Sequence, residues 1–252
     1  MELLSKTRKQ FDNIAANYMQ HAVMQAEVGE RLLQRLQYFK IQPEVILDLG
    51  CGPGRGIPVL QKFYPNASII GVDCSLPMLK EARSQAHWWQ KRVKVLLADA
   101  CHLPFADSSV DCVVANQLLP WIMDIQQFFS ECYRVLKPQG LLLLTSLGPD
   151  SFKELRKDGA YGLDMHDIGD CLLEQGFCDP VMDREDLVLN YPHPHALQQA
   201  LRAQGEAFII SDECSVTYEL IYGQAWRGEK RQKGGVQTIS LEKLRSSIPS
   251  QR

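Results

Sequence analysis

Residues 48–54 read Asp-Leu-Gly-Cys-Gly-Pro-Gly, an acid followed by three glycines at alternating positions. Glycines so spaced let a ligand come directly against the backbone of a turn. Two nucleotide readings fail on the residues present. A P-loop ends in Gly-Lys-Ser/Thr, whereas here Arg55-Gly56 follows. A dinucleotide fingerprint spaces its glycines G-x-G-x-x-G, and this run is G-x-G-x-G behind an acid. Asp48 discriminates: a carboxylate there would repel a pyrophosphate but suits a cationic ligand.

Three later positions extend the pattern. Asp73 closes a second apolar run, 19 residues after Gly54, where an acid can accept hydrogen bonds from ribose hydroxyls. Asp99-Ala100 closes a third run and is placed for an adenine amino group, and Asn116 closes a fourth. S-adenosylmethionine, with its sulfonium, amino group, ribose and adenine, is a ligand that fits this pattern. Asp48, Gly50, Gly52, Gly54, Asp73, Asp99, Ala100 and Asn116 are therefore the expected cofactor-binding residues, with no metal in the set.

These residues need a scaffold that ends several strands side by side. Val45–Leu49, Ser68–Val72, Val93–Ala98, Val110–Ala115 and Leu141–Thr145 are short runs dense in apolar residues, as strands covered on both faces must be. Helical stretches separate them: residues 55–64, a segment capped by Ser75 with Pro77 in its first turn, and 125–136, stopped by Pro138 and Gly140. Such alternation specifies an α/β fold with a mostly parallel sheet and right-handed crossovers. Ahead of it, Phe11, Ile14, Tyr18, Ala22, Val28, Leu32 and Leu36 recur at helical spacing, in one helix or two. Beyond it, 165–175 and 197–204 read as helix, and Leu187–Leu189 and Val216–Tyr222 as strand.

The chain has 252 residues, 45% hydrophobic and 23% charged, enough for one sizeable α/β core and incompatible with general disorder. Its net charge of −3 leaves no overall nucleic-acid footprint. The charge is unevenly spread, because residues 227–252 carry seven Lys/Arg against two acids and read as a basic, mobile tail. Eight cysteines lack any C-x-x-C pair, so reduced thiols in a cytoplasmic protein are expected. No apolar stretch approaches the ~20 residues of a membrane helix. Trp88-Trp89 could stack on bases, but packing at a helix end is the simpler expectation. The fourth strand ends Asn116-Gln-Leu-Leu rather than Asn-Pro-Pro-aromatic, and no proline precedes a cysteine, so the sequence lacks the signatures of DNA amino- and C5-methylation.

Residues 40–145 resemble the class I S-adenosylmethionine-dependent methyltransferases, through the glycine turn, Leu103-Pro-Phe-Ala-Asp-Ser-Ser-Val-Asp-Cys-Val-Val and Tyr133-Arg-Val-Leu-Lys-Pro-Gln-Gly. The outer segments are more specific. Phe11-Asp-Asn-Ile-Ala-Ala-Asn-Tyr-Met-Gln-His-Ala, Gly148-Pro-Asp-Ser-Phe-Lys-Glu-Leu-Arg, Asp164-Met-His-Asp-Ile-Gly-Asp and Thr217-Tyr-Glu-Leu-Ile-Tyr-Gly-Gln-Ala-Trp resemble the malonyl-[acyl-carrier-protein] O-methyltransferases of biotin synthesis. The resemblance implies a seven-stranded sheet with an antiparallel last strand, divided as a helical cover (1–40), a methyltransferase domain (41–226) and the tail (227–252). It implies methyl transfer to the free carboxylate of a malonyl group on acyl carrier protein, without a nucleic-acid or membrane partner. Tyr18, on the covering helix, and His166 are the expected substrate-side residues. Against the family pattern the chain is short at 157–163 and 205–216, two segments that would cover the substrate. Their shortening motivates an alternative: a relative with another small-molecule substrate, or a non-catalytic regulatory or assembly factor that binds the cofactor.

Overall fold

The structure, a computed structural model, describes residues 2–85, 92–157 and 159–228. Trp88-Trp89 and the tail beyond Gly228 lie outside the described residues. Two helices, α1 (Glu2–His21) and α2 (Val23–Gln34), precede β1 (Val45–Leu49), α3 (Ile57–Phe63), β2 (Ser68–Asp73), α4 (Leu76–Gln85) and β3 (Val93–Leu97). Then come β4 (Val110–Asn116), α5 (Ile125–Val135), β5 (Leu136–Leu147), α6 (Met165–Gln175), β6 (Phe177–Asn190), α7 (Pro194–Ala203) and β7 (Ser215–Arg227). They form a seven-stranded sheet in the order β3-β2-β1-β4-β5-β7-β6. Strands β1 to β5 are parallel, and β7 runs antiparallel to both its neighbours.

Alternation along the strands builds two cores. Ile46, Ile69, Cys112, Val114, Leu141 and Leu143 face one side, where Val28, Leu32 and Leu33 of α2 cover them. Leu47, Val113, Ala115, Leu142 and Leu144 face the other, against Phe128 and Phe129 of α5. Successive side chains of a strand point to opposite faces, so an apolar run with no polar partner position must be covered twice. Asp124 starts α5 by accepting the Gln127 amide at 2.9 Å, and Ser75 starts α4 by accepting that of Met78 at 3.3 Å.

Strand order reverses at β1. The chain passes outward through β2 and β3, then returns to place β4 on the other side of β1. The crevice beyond the carboxyl ends of β1 and β4 is where such sheets take ligands.

Four elements differ from the sequence reading. Strand β5 begins at Leu136, not Leu141: pairing runs Val110 to Leu136 and then Cys112 to Leu141, so residues 137–140 form a bulge with Gln139 at φ 63°. Pro138 and Gly140 thus end the helix and shape a bulged strand start. Strand β6 spans 14 residues rather than three. It is an edge strand whose residues Asp183, Arg184, Glu185 and Asp186 are all exposed, so it has no apolar periodicity to read. Strand β7 likewise runs on to Arg227, and α7 starts at Pro194 behind His193, which accepts the Ala196 amide.

Phe129 is completely buried beneath the sheet. Phe129→Ala should reduce unfolding free energy by about 3–5 kcal/mol, measured by urea titration followed by circular dichroism.

Candidate active site

The glycine turn is fixed by the end of β2. The amides of Gly50 and Cys51 both donate to the Val72 carbonyl, at 2.8 and 3.1 Å. Gly50 and Gly52 adopt φ of 67° and 52°, the left-handed region in which a side chain is strained. Gly71 of β2 leaves room for the turn, since a Cβ there would stand 2.8 Å from Cys51 Sγ. The Asp73 carboxylate joins the pieces: Oδ2 accepts the Gly52 amide at 2.9 Å and Oδ1 the Ser75 amide at 2.8 Å. Burial pushes this carboxyl above its usual range, while those amides pull in the opposite direction.

These residues open onto a cavity of about 330 Å³ at the switch point of the sheet. Asp48, Gly50, Gly52 and Asp73 form one side of it. Asp99 and Ala100, after β3, and Asn116, ending β4, form another. Asp99 is held by the Cys101 amide at 2.9 Å and by His102 Nδ1 at 3.0 Å. Asn116 donates to the Gln25 carbonyl at 2.9 Å and accepts the Thr145 hydroxyl at 2.7 Å, tying α2 to β4 and β5. Gly29 makes that possible, because a Cβ there would meet Asn116 Nδ2 at 2.7 Å.

Asp48 is the electrostatic centre. It is 6% exposed, and among the described residues no hydrogen bond or ion pair reaches its carboxylate. Burial, with Asp73 adding like charge, pushes it up to about 7. A carboxylate in this position is completed by a cation on the ligand. Gln25, also on the cavity wall, buries an Oε1 with no donor. An unpaired acid, an unpaired acceptor and glycine backbone together fit S-adenosylmethionine.

Helix α1 lies across the opening. Ser75 Oγ donates to Asp12 at 2.6 Å, Arg55 donates to the Met19 carbonyl, and Phe11 meets Trp121 edge-on at 4.8 Å. Tyr18 of α1 lines the cavity, with its hydroxyl held well above the usual range first by burial and then by Asp73.

Two expected residues stand elsewhere. His166 is not on the cavity: its side chain is 77% exposed at the start of α6, where Asp164 caps the helix and holds both the His166 amide and Nδ1. Gly54 does not line the cavity either; at φ 81°, it lets the turn pack on α4, where a Cβ would approach Ala82 Cβ to 2.9 Å. Sequence reasoning missed Gln25, Arg55, Trp121, Gln204 and Glu206, all on the wall. Only Arg55 carried a signal, as the cation directly after the glycine turn.

A methyltransferase-domain family profile matches residues 47–144. The malonyl-[acyl-carrier protein] O-methyltransferase of Legionella pneumophila is 37% identical, across 94% of this chain and 96% of its own length. The chain belongs to that family. Its Gallionella capsiferriformans member is also 37% identical, across 89% of this chain and 91% of the relative. Among solved structures, the Bacillus protein YcgJ superposes with a TM-score of 0.61 at 18% identity, covering 79% of this chain and 99% of its own. A Haemonchus contortus phosphoethanolamine N-methyltransferase 2, solved with S-adenosylhomocysteine, gives 0.60 at 22% identity, covering 79% of this chain and 53% of that one. At these identities the likeness is one of fold: the class I S-adenosylmethionine-dependent methyltransferase fold. The Legionella alignment spans 274 positions against the 252 residues here, so that family member carries segments this chain lacks.

The raised Asp48 carboxyl has a consequence for the ligand-free protein. Its folded value, about 7, exceeds the ordinary 3.8, so the folded state holds the proton more tightly and stability falls as pH rises between those values. Asp48→Asn should remove that slope and leave the ligand-free protein more stable than the parent at pH 8, by roughly 2–4 kcal/mol. Thermal unfolding from about pH 5 to 8 checks it.

Proposed function

We propose that this protein transfers the methyl group of S-adenosylmethionine to the free carboxylate of a malonyl group carried as a thioester on acyl carrier protein. The reading is carried by a family match that extends through nearly the whole chain, well beyond the shared cofactor core. The product ester fits the start of pimeloyl, and hence biotin, synthesis. It caps a charge that would otherwise be costly to bury during chain elongation. All eight cysteines are unpaired thiols, which supports a cytoplasmic setting. Among the described residues no helix is long and apolar enough to cross a membrane.

When bound, S-adenosylmethionine supplies a methyl group activated on a sulfonium. Asp48 would balance the positive charge of the methionyl end, Asp73 would accept the ribose hydroxyls, and the stretch Asp99-Ala100 would meet the adenine. Gly50 and Gly52 would give the ligand access to backbone, and Asn116 would close the wall at the end of β4. The reaction is an in-line displacement in which a carboxylate oxygen forms the new bond to carbon and the carbon–sulfur bond breaks. Its leaving group is a neutral thioether. A malonyl carboxylate is already ionised at pH 7, so no general base is needed. The protein's contribution is placement and the removal of water, and orientation alone can account for ~7–11 kcal/mol of a barrier. Tyr18, on the covering helix, is the side chain we assign to orienting the substrate.

Malonyl, succinyl and acetyl carrier proteins offered with labelled cofactor should yield a base-labile methyl ester on malonyl and none on acetyl, which has no free carboxylate. Label on none of the three would reject the assignment. Tyr18→Phe should lower kcat about tenfold or more while cofactor affinity by calorimetry changes little.

A further inference from the structure

The two segments that are short in this chain meet each other. The Tyr161 hydroxyl donates to Glu206 Oε1, and the rings of Tyr161 and Phe208 pack on Phe152 at 4.6 and 5.0 Å. Gly205, at φ 92°, makes the turn that places Glu206 there. Its neighbours leave little room, since a Cβ would lie 3.3 Å from Trp121 Cη2 and 3.5 Å from Phe11 Cζ. The Glu206 amide returns to the Leu201 carbonyl at 2.8 Å, so the end of α7 anchors the residue. The outcome is a carboxyl group on the cavity wall, next to Gln204 and on the wall that also holds Tyr18 and Trp121.

The groups around it are phenolic or amide. Tyr161 bonds to it from one short segment, and Tyr18 of α1 and Tyr218 of β7 lie close enough to feel its charge. Gln204 flanks it, and Arg55, the cation among the lining residues, is engaged with the end of α1. Among the described residues Glu206 forms no ion pair. Burial pushes its carboxyl up to about 7, with the Tyr161 hydrogen bond pulling the other way.

We propose that Glu206, as a carboxylic acid held by Tyr161, receives the free carboxylate of the acyl substrate, donating a hydrogen bond to one oxygen and leaving the other to attack. This deepens, and rests on, the methyl-transfer reading above. A nucleophilic carboxylate has to leave water without being trapped by a full cation, whose pairing would draw off the electrons that attack. A neutral donor satisfies one oxygen at lower cost to the other. Ionised, the same residue sets like charge against the substrate, so binding of the acyl group requires the proton.

Steady-state kinetics with malonyl carrier protein at saturating cofactor, from about pH 6 to 9, test the proposal. For the parent, KM should be flat below about 7 and rise towards tenfold per pH unit above it. Glu206→Gln keeps an acceptor for Tyr161 and should give a KM independent of pH. Tyr161→Phe removes the bond that lowers the Glu206 value, so the rise should move to higher pH, a shift that a purely structural role does not produce. A Glu206→Gln KM that climbs in parallel with the parent overturns the proposal. So does an altered cofactor Kd by calorimetry with KM unmoved, which would put Glu206 on the cofactor instead. Absence of any methyl ester from the parent enzyme rejects the methyl-transfer reading itself and is read separately from either result.

Discussion

The double hydrogen bond made by Asp73 is the constraint on which the rest of the site depends. One carboxylate holds the amide of Gly52 in the glycine turn and the amide of Ser75 at the head of α4. It therefore fixes the turn after β1 relative to the helix after β2, alongside the bonds from Gly50 and Cys51 to the Val72 carbonyl. Ser75 extends the chain of contacts by donating to Asp12 of α1, so the lid is registered on the same carboxylate. Ligand binding at this position engages an acid that is already committed geometrically and needs little reorganisation.

The inner half of the sheet was legible in the residues because its chemistry is repetitive. Strands buried on both faces must be largely apolar, and β1, β2 and β4 are so apart from Asp48, Asp111 and the polar residues at the ends of β2 and β4. The glycine turn was legible for a similar reason: left-handed backbone leaves few residue choices, and Gly50 and Gly52 occupy it. The misreadings have the opposite origin. Strand β6 is held by its pairing to β7 and by Arg31 and Arg35 reaching over to Glu185 and Asp183, so its own side chains carry no strand pattern. His166 sits in a segment similar to the family, yet it stands off the cavity, at a solvent-facing helix start beside Asp164. Glu206 gave no signal, because what makes it unusual is Tyr161, 45 residues earlier.

Electrostatically, the cavity is built with an excess of acid. Asp48, Asp73 and Glu206 line it, and burial moves the proton affinity of all three upward. Such an arrangement resists folding in the ionised form and relaxes when a cation arrives. Ligand affinity and the strain of the empty site are thus two aspects of one charge distribution. Near Glu206 the wall is closed by aromatic rings and a tyrosine–acid hydrogen bond.

The position of β7 between β5 and β6 bears on how the protein is made. Strand β6 is complete at Asn190, but its ladder partner is β7 alone, which ends at Arg227. A chain emerging from the ribosome therefore carries a 14-residue strand whose partner begins only at Ser215 and is complete only at Arg227. The Asp183–Asp186 run of exposed charge keeps that waiting strand from pairing with other nascent chains. Closure of the sheet is consequently a late event in synthesis, completed by residues encoded far from the cofactor turn.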